Sequence, residues 1–94
     1  MTDHEKRVYD TAIEFYGRQH QMTVALEELS ELQKEICKML RGMGNTKHLA
    51  EEMADVEVIL DQLKIMFSNE LLVEEWKRTK VNRLEGNLQI FPTA

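Results

Sequence analysis

The sequence predicts an all-α protein, a bundle of four helices. Strong helix formers dominate the composition, and helix breakers are scarce: the 94 residues include four glycines and one proline. Apolar residues recur every three or four positions over long stretches, which is the spacing of one helix face. Glycines and small polar residues divide these stretches into four segments. We therefore expect a single helical domain over residues 1–86, followed by a C-terminal tail over residues 87–94.

Capping residues place the ends of the four helices. The first helix is expected over residues 4–16, with Thr2 or Asp3 as its cap and Gly17 after its end. The second is expected over about residues 21–41, and the third begins at a cap formed by Asn45 or Thr46. The third helix is expected to end near residue 67 or 68. The fourth helix is expected over about residues 69–85.

The second and third helices each carry an apolar face. On the second helix this face consists of Met22, Ala25, Leu29, Leu32, Ile36 and Leu40. On the third helix it consists of Leu49, Met53, Val56, Leu60, Leu63 and Phe67. We expect the two faces to pack against each other as an antiparallel pair. The third helix also carries apolar residues on another side (Ala54, Val58 and Ile65), so the bundle is expected to be completed by homo-oligomerisation.

Charge and cysteine content exclude several classes of protein. The net charge is −5 and the pI is about 5.2, so a basic face that binds nucleic acid is not expected. Cys37 is the single cysteine, so an internal disulfide is excluded and a reducing cytoplasmic location is expected. The sequence has no apolar run of membrane-spanning length, and its polar N-terminus lacks a signal-peptide core; no membrane partner is expected.

Four acidic residues stand beside the two apolar faces. Glu28 and Glu31 lie one turn apart on the second helix, and Glu52 and Asp55 lie one turn apart on the third. Either pair alone is usually a solvated helix face, but pairing of the two helices would bring all four carboxylates together. Like charges in a partly dry site repel by several kcal/mol, so a cation must neutralise them. Oxygen ligands at this helical spacing suit Mg²⁺, or Mn²⁺.

Other kinds of metal or phosphate site fit the sequence less well than a Mg²⁺ site. A di-iron bundle needs Glu-x-x-His on two helices, and neither Glu31 nor Asp55 is a histidine. The three histidines are expected to be exposed or to cap helices. The sequence also lacks a glycine-rich phosphate loop and the Cys/His spacing of a zinc site. Glu35 continues the acidic line one turn beyond Glu31; it could position an attacking water or face solvent, and we expect it to face solvent.

The two acidic motifs resemble a known family. Glu27-Glu28-Leu29-Ser30-Glu31-Leu32 and Glu51-Glu52-Met53-Ala54-Asp55-Val56 are similar to the paired E-x-x-E and E-x-x-D signature of the MazG-like, all-α nucleoside triphosphate pyrophosphohydrolases. The segment Tyr16-Gly17-Arg18-Gln19-His20-Gln21 resembles small stand-alone members of that family. The segment Arg78-Thr79-Lys80-Val81-Asn82-Arg83 looks like the family's basic segment that reaches the phosphates. The resemblance covers roughly residues 15–85.

The resemblance implies a function and a set of site residues. It implies four helices that form a homodimer or homotetramer, and Mg²⁺ held by the four carboxylates. It implies hydrolysis of a nucleoside triphosphate between the α- and β-phosphates, giving a nucleoside monophosphate and pyrophosphate. The substrate would be contacted by the following residues: Gln21, Arg78, Lys80, Asn82 and Arg83. Many relatives have lysine where Arg78 stands, and Val24 leaves no upstream carboxylate to serve as a base.

Two other functions are compatible with the same sequence. A phosphoribosyl-ATP pyrophosphatase is one, because that family shares the acidic helices. The other is a non-catalytic helical dimerisation module whose acidic stripe is only solvated, since acidic amphipathic helices are common. Gln21, which precedes Glu28 on the same helix face, could contact a base or sugar or be a plain surface residue. Trp76 could stack on a base, but we expect it to pack in the core of an oligomer.

Overall fold

A computed structural model describes residues 1–89 of the chain. This range contains four α-helices and no β-strand, which confirms the all-α prediction. The helices are α1 (Asp3–Tyr16), α2 (Arg18–Leu40), α3 (Thr46–Met66) and α4 (Glu70–Leu88). Across the described residues, none of the helices is both long enough and apolar enough to cross a bilayer.

The ends of α1 follow the predicted capping residues. The Thr2 hydroxyl accepts a hydrogen bond from the Glu5 amide at 3.0 Å, and the Glu5 carboxylate accepts one from the Thr2 amide at 2.6 Å. This capping box satisfies two amides that the first turn would leave unpaired. At the other end, the Gly17 amide donates to the Ile13 carbonyl at 2.8 Å, and Gly17 has a φ of +92°. That positive φ suits glycine and turns the chain sharply.

The predicted start of α2 at residue 21 is wrong by three residues. Gly17 is the single residue between α1 and α2, and the helix begins at Arg18. The Arg18 guanidinium donates to the Met66 carbonyl at 2.7 Å and lies 5.3 Å from the centre of the Phe67 ring. These contacts tie the first turn of α2 to the last turn of α3, so residues 18–20 are helical rather than a loop.

The predicted end of α4 at residue 85 is also wrong. α4 continues through Gly86 to Leu88, and the Gln89 amide donates to the Glu85 carbonyl at 3.1 Å. The predicted boundary between domain and tail therefore falls inside a helix. Residues 90–94 of the predicted tail lie outside the described range. Among the described helices α4 packs against α3 alone, and none of its side chains is buried.

The core lies mainly between α2 and α3, with α1 packed beside both. Its buried apolar side chains are Tyr9, Ala25, Val56, Ile59 and Met66. Three polar side chains are also buried there: Gln21, Glu35 and Gln62. The Gln21 amide donates to the Gln62 side-chain oxygen at 2.7 Å, so these groups are paired inside the interface rather than solvated.

The predicted apolar faces are only partly used inside the chain. Ala25 and Val56 are buried, but seven members of the two predicted faces are exposed: Met22, Leu29, Ile36, Leu40, Met53, Leu60 and Phe67. The faces of α2 and α3 that pack together are therefore rotated about the helix axes relative to the predicted faces. Gln21 and Gln62 occupy buried positions that residue type alone assigned to the surface. Since α2 and α3 are antiparallel, the exposed members of both helices lie on the same side of the helix pair. We call this side the open face.

Candidate metal centre

Three of the four predicted carboxylates converge between α2 and α3. One oxygen from each of Glu28, Glu52 and Asp55 can be chosen so that all three lie within 4.8 Å of one another. Glu52 and Asp55 share a face of α3 because they are one turn apart, and Glu28 faces them from the antiparallel helix. Glu28 and Glu52 are half-buried and Asp55 is exposed, so the cluster opens to solvent on the Asp55 side.

The electrostatics of the cluster favour a cation. Loss of solvent raises the pKa of Glu28, and the nearby Asp55 carboxylate raises it further through its charge and a hydrogen bond. Loss of solvent likewise raises the pKa of Glu52, followed by the charges of Asp55 and Glu31. Both carboxyl groups therefore ionise less readily than free ones. A divalent cation would compensate this repulsion, and three carboxylates supply the oxygen ligands it prefers.

Glu31 stands at the edge of the cluster. Its side chain is exposed, and it lies outside the group of three whose oxygens meet. Its negative charge nevertheless contributes to the raised pKa values of Glu28 and Glu52. Glu31 is thus close enough to act on the cluster electrostatically, and its role as a fourth ligand stays a prediction.

The expectation that Glu35 faces solvent is wrong. Glu35 is 8% exposed, and one of its carboxylate oxygens lies 3.2 Å from the Lys38 ammonium. Its charge is also among the causes that raise the pKa of Glu52, which places it beside the cluster. Glu35 is seven residues, about two turns, from Glu28, and this spacing puts both on one helix face. That spacing is the sequence signal that would have identified it.

The Gln21 side chain already forms hydrogen bonds within the protein. It is buried, its amide nitrogen donates to Gln62, and its oxygen lies 2.8 Å from the His20 ring nitrogen Nδ1. The His20 ring in turn stacks on Tyr16, with 5.2 Å between ring centres. A base or sugar would have to replace these hydrogen bonds in order to contact Gln21, whose predicted role in substrate binding stays a prediction.

The predicted phosphate contacts lie away from the cluster within one chain. They are the exposed α4 residues Arg78, Lys80, Asn82 and Arg83. α4 packs against the side of α3 that carries Glu57 and Lys64, about 180–200° around the helix from Asp55. A single chain therefore does not bring these residues to the carboxylates, and their contact with phosphates stays a prediction.

Comparisons of the chain with protein-family models, with curated proteins and with solved structures find no match. The MazG-like resemblance accordingly depends on the two acidic motifs and their spacing. The geometry adds that these motifs lie on facing helices and that three of their carboxylates meet. This convergence is the basis for the function proposed below.

Proposed function

We propose that this protein is a Mg²⁺-dependent nucleoside triphosphate pyrophosphohydrolase. It would cleave a ribo- or deoxyribonucleoside triphosphate between the α- and β-phosphates, releasing a nucleoside monophosphate and pyrophosphate. The observation that carries the proposal is the convergence of Glu28, Glu52 and Asp55. These residues come from the two motifs that resemble the paired signature of the MazG-like family.

The ligand set supports a hard divalent cation. Glu28, Glu52 and Asp55 would hold Mg²⁺, or Mn²⁺, and Glu31 would join from the edge of the cluster. A bound Mg²⁺ would neutralise phosphate oxygens and favour attack by water. The protein has a net charge of −5, so a cation between the carboxylates and the phosphates is also what would allow an anionic substrate to bind.

The side chains and helices around the cluster determine its charge, its burial and the side from which it can be reached. Lys38 neutralises the buried Glu35 through their 3.2 Å contact, so the protein compensates this carboxylate itself and leaves the other three for a cation. Packing of α2 on α3 holds Glu28 and Glu52 half-buried, which lowers the local dielectric and strengthens their attraction for a cation. The exposed Asp55 marks the side on which a substrate would arrive.

The proposal extends to partners and location. Arg78, Lys80, Asn82 and Arg83 would contact phosphates, and Gln21 would contact the base or sugar. Because α4 lies on the far side of α3 within one chain, phosphate contacts from α4 fit a homodimer or homotetramer better than a monomer. A cytoplasmic location fits the single cysteine, Cys37, which is exposed and would stay reduced there.

A substrate panel tests the proposed activity. Purified protein is incubated with each standard ribo- and deoxyribonucleoside triphosphate and Mg²⁺, and the products are separated by ion-exchange chromatography. The expected products are monophosphate and pyrophosphate in equal amounts, and none without divalent metal. Absence of turnover by folded protein with every triphosphate would overturn the proposal. Turnover of phosphoribosyl-ATP alone would identify the related pyrophosphatase instead.

Metal binding separates the enzyme from a non-catalytic dimerisation module. If the carboxylates bind Mg²⁺, the metal stabilises the folded state, by about 2.7 kcal/mol at a concentration one hundred times its Kd. The thermal midpoint of unfolding should therefore rise with Mg²⁺, and Glu28→Gln should remove the rise. An unchanged midpoint across millimolar Mg²⁺, together with no turnover, would indicate a module whose acidic residues are only solvated.

A further inference from the structure

Polar side chains continue from the metal centre along the seam between α2 and α3, the line on which the two helices pack. Gln21 lies seven residues before Glu28 on α2, and Gln62 lies seven residues after Asp55 on α3. Seven residues make about two helical turns, so each glutamine shares a helix face with its carboxylate. Because the helices are antiparallel, both steps run in the same direction. The amide pair therefore lies about 10.5 Å along the seam from the cluster.

The hydrogen bonds of the amide pair determine which atoms it offers to a ligand. The His20 ring donates from Nδ1 to the Gln21 side-chain oxygen at 2.8 Å, because an amide oxygen can only accept. The Gln21 side-chain nitrogen donates to the Gln62 side-chain oxygen at 2.7 Å. Both amide oxygens are thus used inside the protein. The N–H groups of Gln62 stand at the end of this chain of hydrogen bonds.

Gln62 is a buried hydrogen-bond donor that the protein itself does not use. The residue is only 6% exposed, yet within residues 1–89 its side-chain nitrogen donates no hydrogen bond. In the same range, the one fully enclosed side-chain polar atom without a partner is Asn69 Oδ1, so the Gln62 nitrogen can still be reached from outside. Since nearly all buried donors in proteins are paired, this nitrogen is suited to an acceptor on a bound molecule.

Aromatic rings border the amide pair. Tyr16 stacks on His20 with 5.2 Å between ring centres and 17° between ring planes, and Phe15 meets Tyr16 edge-on at 4.9 Å. All three residues are exposed. Exposed aromatic faces favour stacking by a planar heterocycle. Carboxylates for a metal at one end of the seam, with a donor and aromatic rings at the other, fit a nucleotide whose phosphates lie at the cluster and whose base lies at Gln62.

We propose that Gln62 selects the base of the substrate, favouring a base with an exocyclic oxygen over the corresponding amino base. The inference rests on the proposed function and specifies its substrate class. The Gln62 N–H donates to O4 of uracil or thymine, or to O6 of guanine or hypoxanthine. Neither of the hydrogen bonds that Gln21 forms within the protein has to break for this contact.

Amino bases are disfavoured because they place a donor against a donor. Cytosine and adenine carry N4–H₂ and N6–H₂ groups where uracil and hypoxanthine carry an oxygen. An N–H of Gln62 that faces such a group stays unpaired, and so does the amino group of the base. His20 and Gln21 are positioning residues in this scheme, since their hydrogen bonds hold the Gln62 oxygen away from the base and its nitrogen towards it.

Matched pairs of triphosphates test base selection. UTP and CTP differ in the oxygen or amino group at position 4, and inosine triphosphate and ATP differ in the same way at position 6. Steady-state kinetics with Mg²⁺ gives kcat/KM for each nucleotide. In the pair that is hydrolysed faster, the oxygen-bearing member should have a kcat/KM about tenfold or more above that of its amino counterpart.

Variants of Gln62 test whether this residue causes the preference. Gln62→Glu keeps an oxygen for Gln21 but replaces the free donor by an acceptor, so the ratio of kcat/KM values should fall at least tenfold or reverse. Gln62→Leu should bring the ratio near one, and it serves as the test if circular dichroism shows that Gln62→Glu does not fold. His20→Phe keeps a ring against Tyr16 but removes the Nδ1 donor, and should also lower the ratio. Gln33→Glu makes the same change at an exposed position of α2 and should keep the wild-type ratio.

Binding measurements separate base selection from hydrolysis. The α,β-methylene analogues of UTP and CTP cannot be cleaved at the proposed bond, and calorimetric titration with Mg²⁺ should show the UTP analogue binding about tenfold or more tightly. Selective binding without turnover of any triphosphate would overturn the proposed hydrolase alone. Turnover with equal kcat/KM within each pair, or a preference that Gln62→Glu and Gln62→Leu leave unchanged, would overturn base selection by Gln62 alone. Absence of both binding and turnover would overturn both.

Discussion

Individual carboxylates give the most direct test of the metal centre. Glu28→Gln and Glu52→Gln keep the side-chain volume but remove a charged oxygen ligand. Since loss of even an outer-shell partner costs 10–100-fold at metal sites, each change should lower Mg²⁺-dependent kcat/KM by about 100-fold or more. Steady-state kinetics with the best triphosphate of the panel measures the loss.

The neighbouring glutamates provide the control. Glu27 and Glu51 are exposed and point about 100° away from Glu28 and Glu52 along their helices. Changing either to Gln alters the net charge equally but should leave kcat/KM within about twofold of the wild type. If Glu28→Gln and Glu52→Gln retain near-normal turnover while Glu27→Gln does not, the assignment of the metal ligands is wrong.

The raised pKa of Glu28 predicts how stability depends on pH in metal-free protein. Its folded-state pKa lies above the ordinary 4.5, because burial and Asp55 disfavour the charged form. The folded state then binds the proton more tightly than the unfolded state, so stability falls as pH rises from 4.5 through the raised pKa. In EDTA, Glu28→Gln should melt a few degrees above the wild type at pH 7.5. This difference should shrink towards zero near pH 4.

Thermal melts of both proteins across this pH range measure the effect. Glu27→Gln should melt close to the wild type at pH 7.5, since Glu27 is exposed and lies outside the cluster. A wild type that is more stable than Glu28→Gln at pH 7.5 without metal would contradict the repulsion inferred within the cluster.

Sequence reasoning found the carboxylates but not their polar neighbours. Glu28, Glu52 and Asp55 were recognisable because two motifs with the same spacing lie on helices expected to pair. Glu35 was assigned to solvent because glutamate is rarely buried, although Lys38, three residues on along the same helix, compensates its charge. Gln21 and Gln62, by contrast, are 41 residues apart, and long-range partners of this kind leave no local pattern.

At the scale of elements, two glycines should respond differently to replacement by alanine. Gly17 joins α1 to α2 with φ +92° and ψ 153°, a conformation that costs other residues about 1–3 kcal/mol. Gly86 lies inside α4, where alanine gains up to about 1 kcal/mol in helix propensity. A Cβ at either position meets no atom within 4 Å, so packing does not obscure the comparison. Urea unfolding should show Gly17→Ala destabilised and Gly86→Ala unchanged or stabilised.

The glycines also explain which helix ends were predictable. Gly17 ends α1 as expected, because its positive φ breaks the helix. Gly86 was expected to end α4 for the same reason, but without a positive φ a glycine remains part of the helix. A sequence shows where glycine stands and not which backbone conformation it adopts. The four helices were therefore predictable, whereas two of their ends were not.

At the scale of the whole molecule, unfolding should depend on protein concentration. If folding and dimerisation are coupled, each tenfold increase in concentration adds about 1.4 kcal/mol to the free energy of unfolding. The wild-type thermal midpoint should therefore rise by several degrees between 1 and 100 µM, because a cooperative unit of dimer size shifts by about 2–4 °C for each kcal/mol. A wild-type midpoint independent of concentration would contradict coupled assembly.

The hydrogen bond between Gln21 and Gln62 has a consequence for the axial register of α2 on α3. A slip of one helical turn would displace the two helices by about 5.4 Å and leave both buried amides without a partner. Each buried polar group left unpaired costs about 1–3 kcal/mol, so the slipped arrangement is strongly disfavoured. The same slip would carry Glu28 away from Glu52 and Asp55. Two uncharged side chains, two turns from the cluster, thus select the one alignment in which the three carboxylates can share a cation.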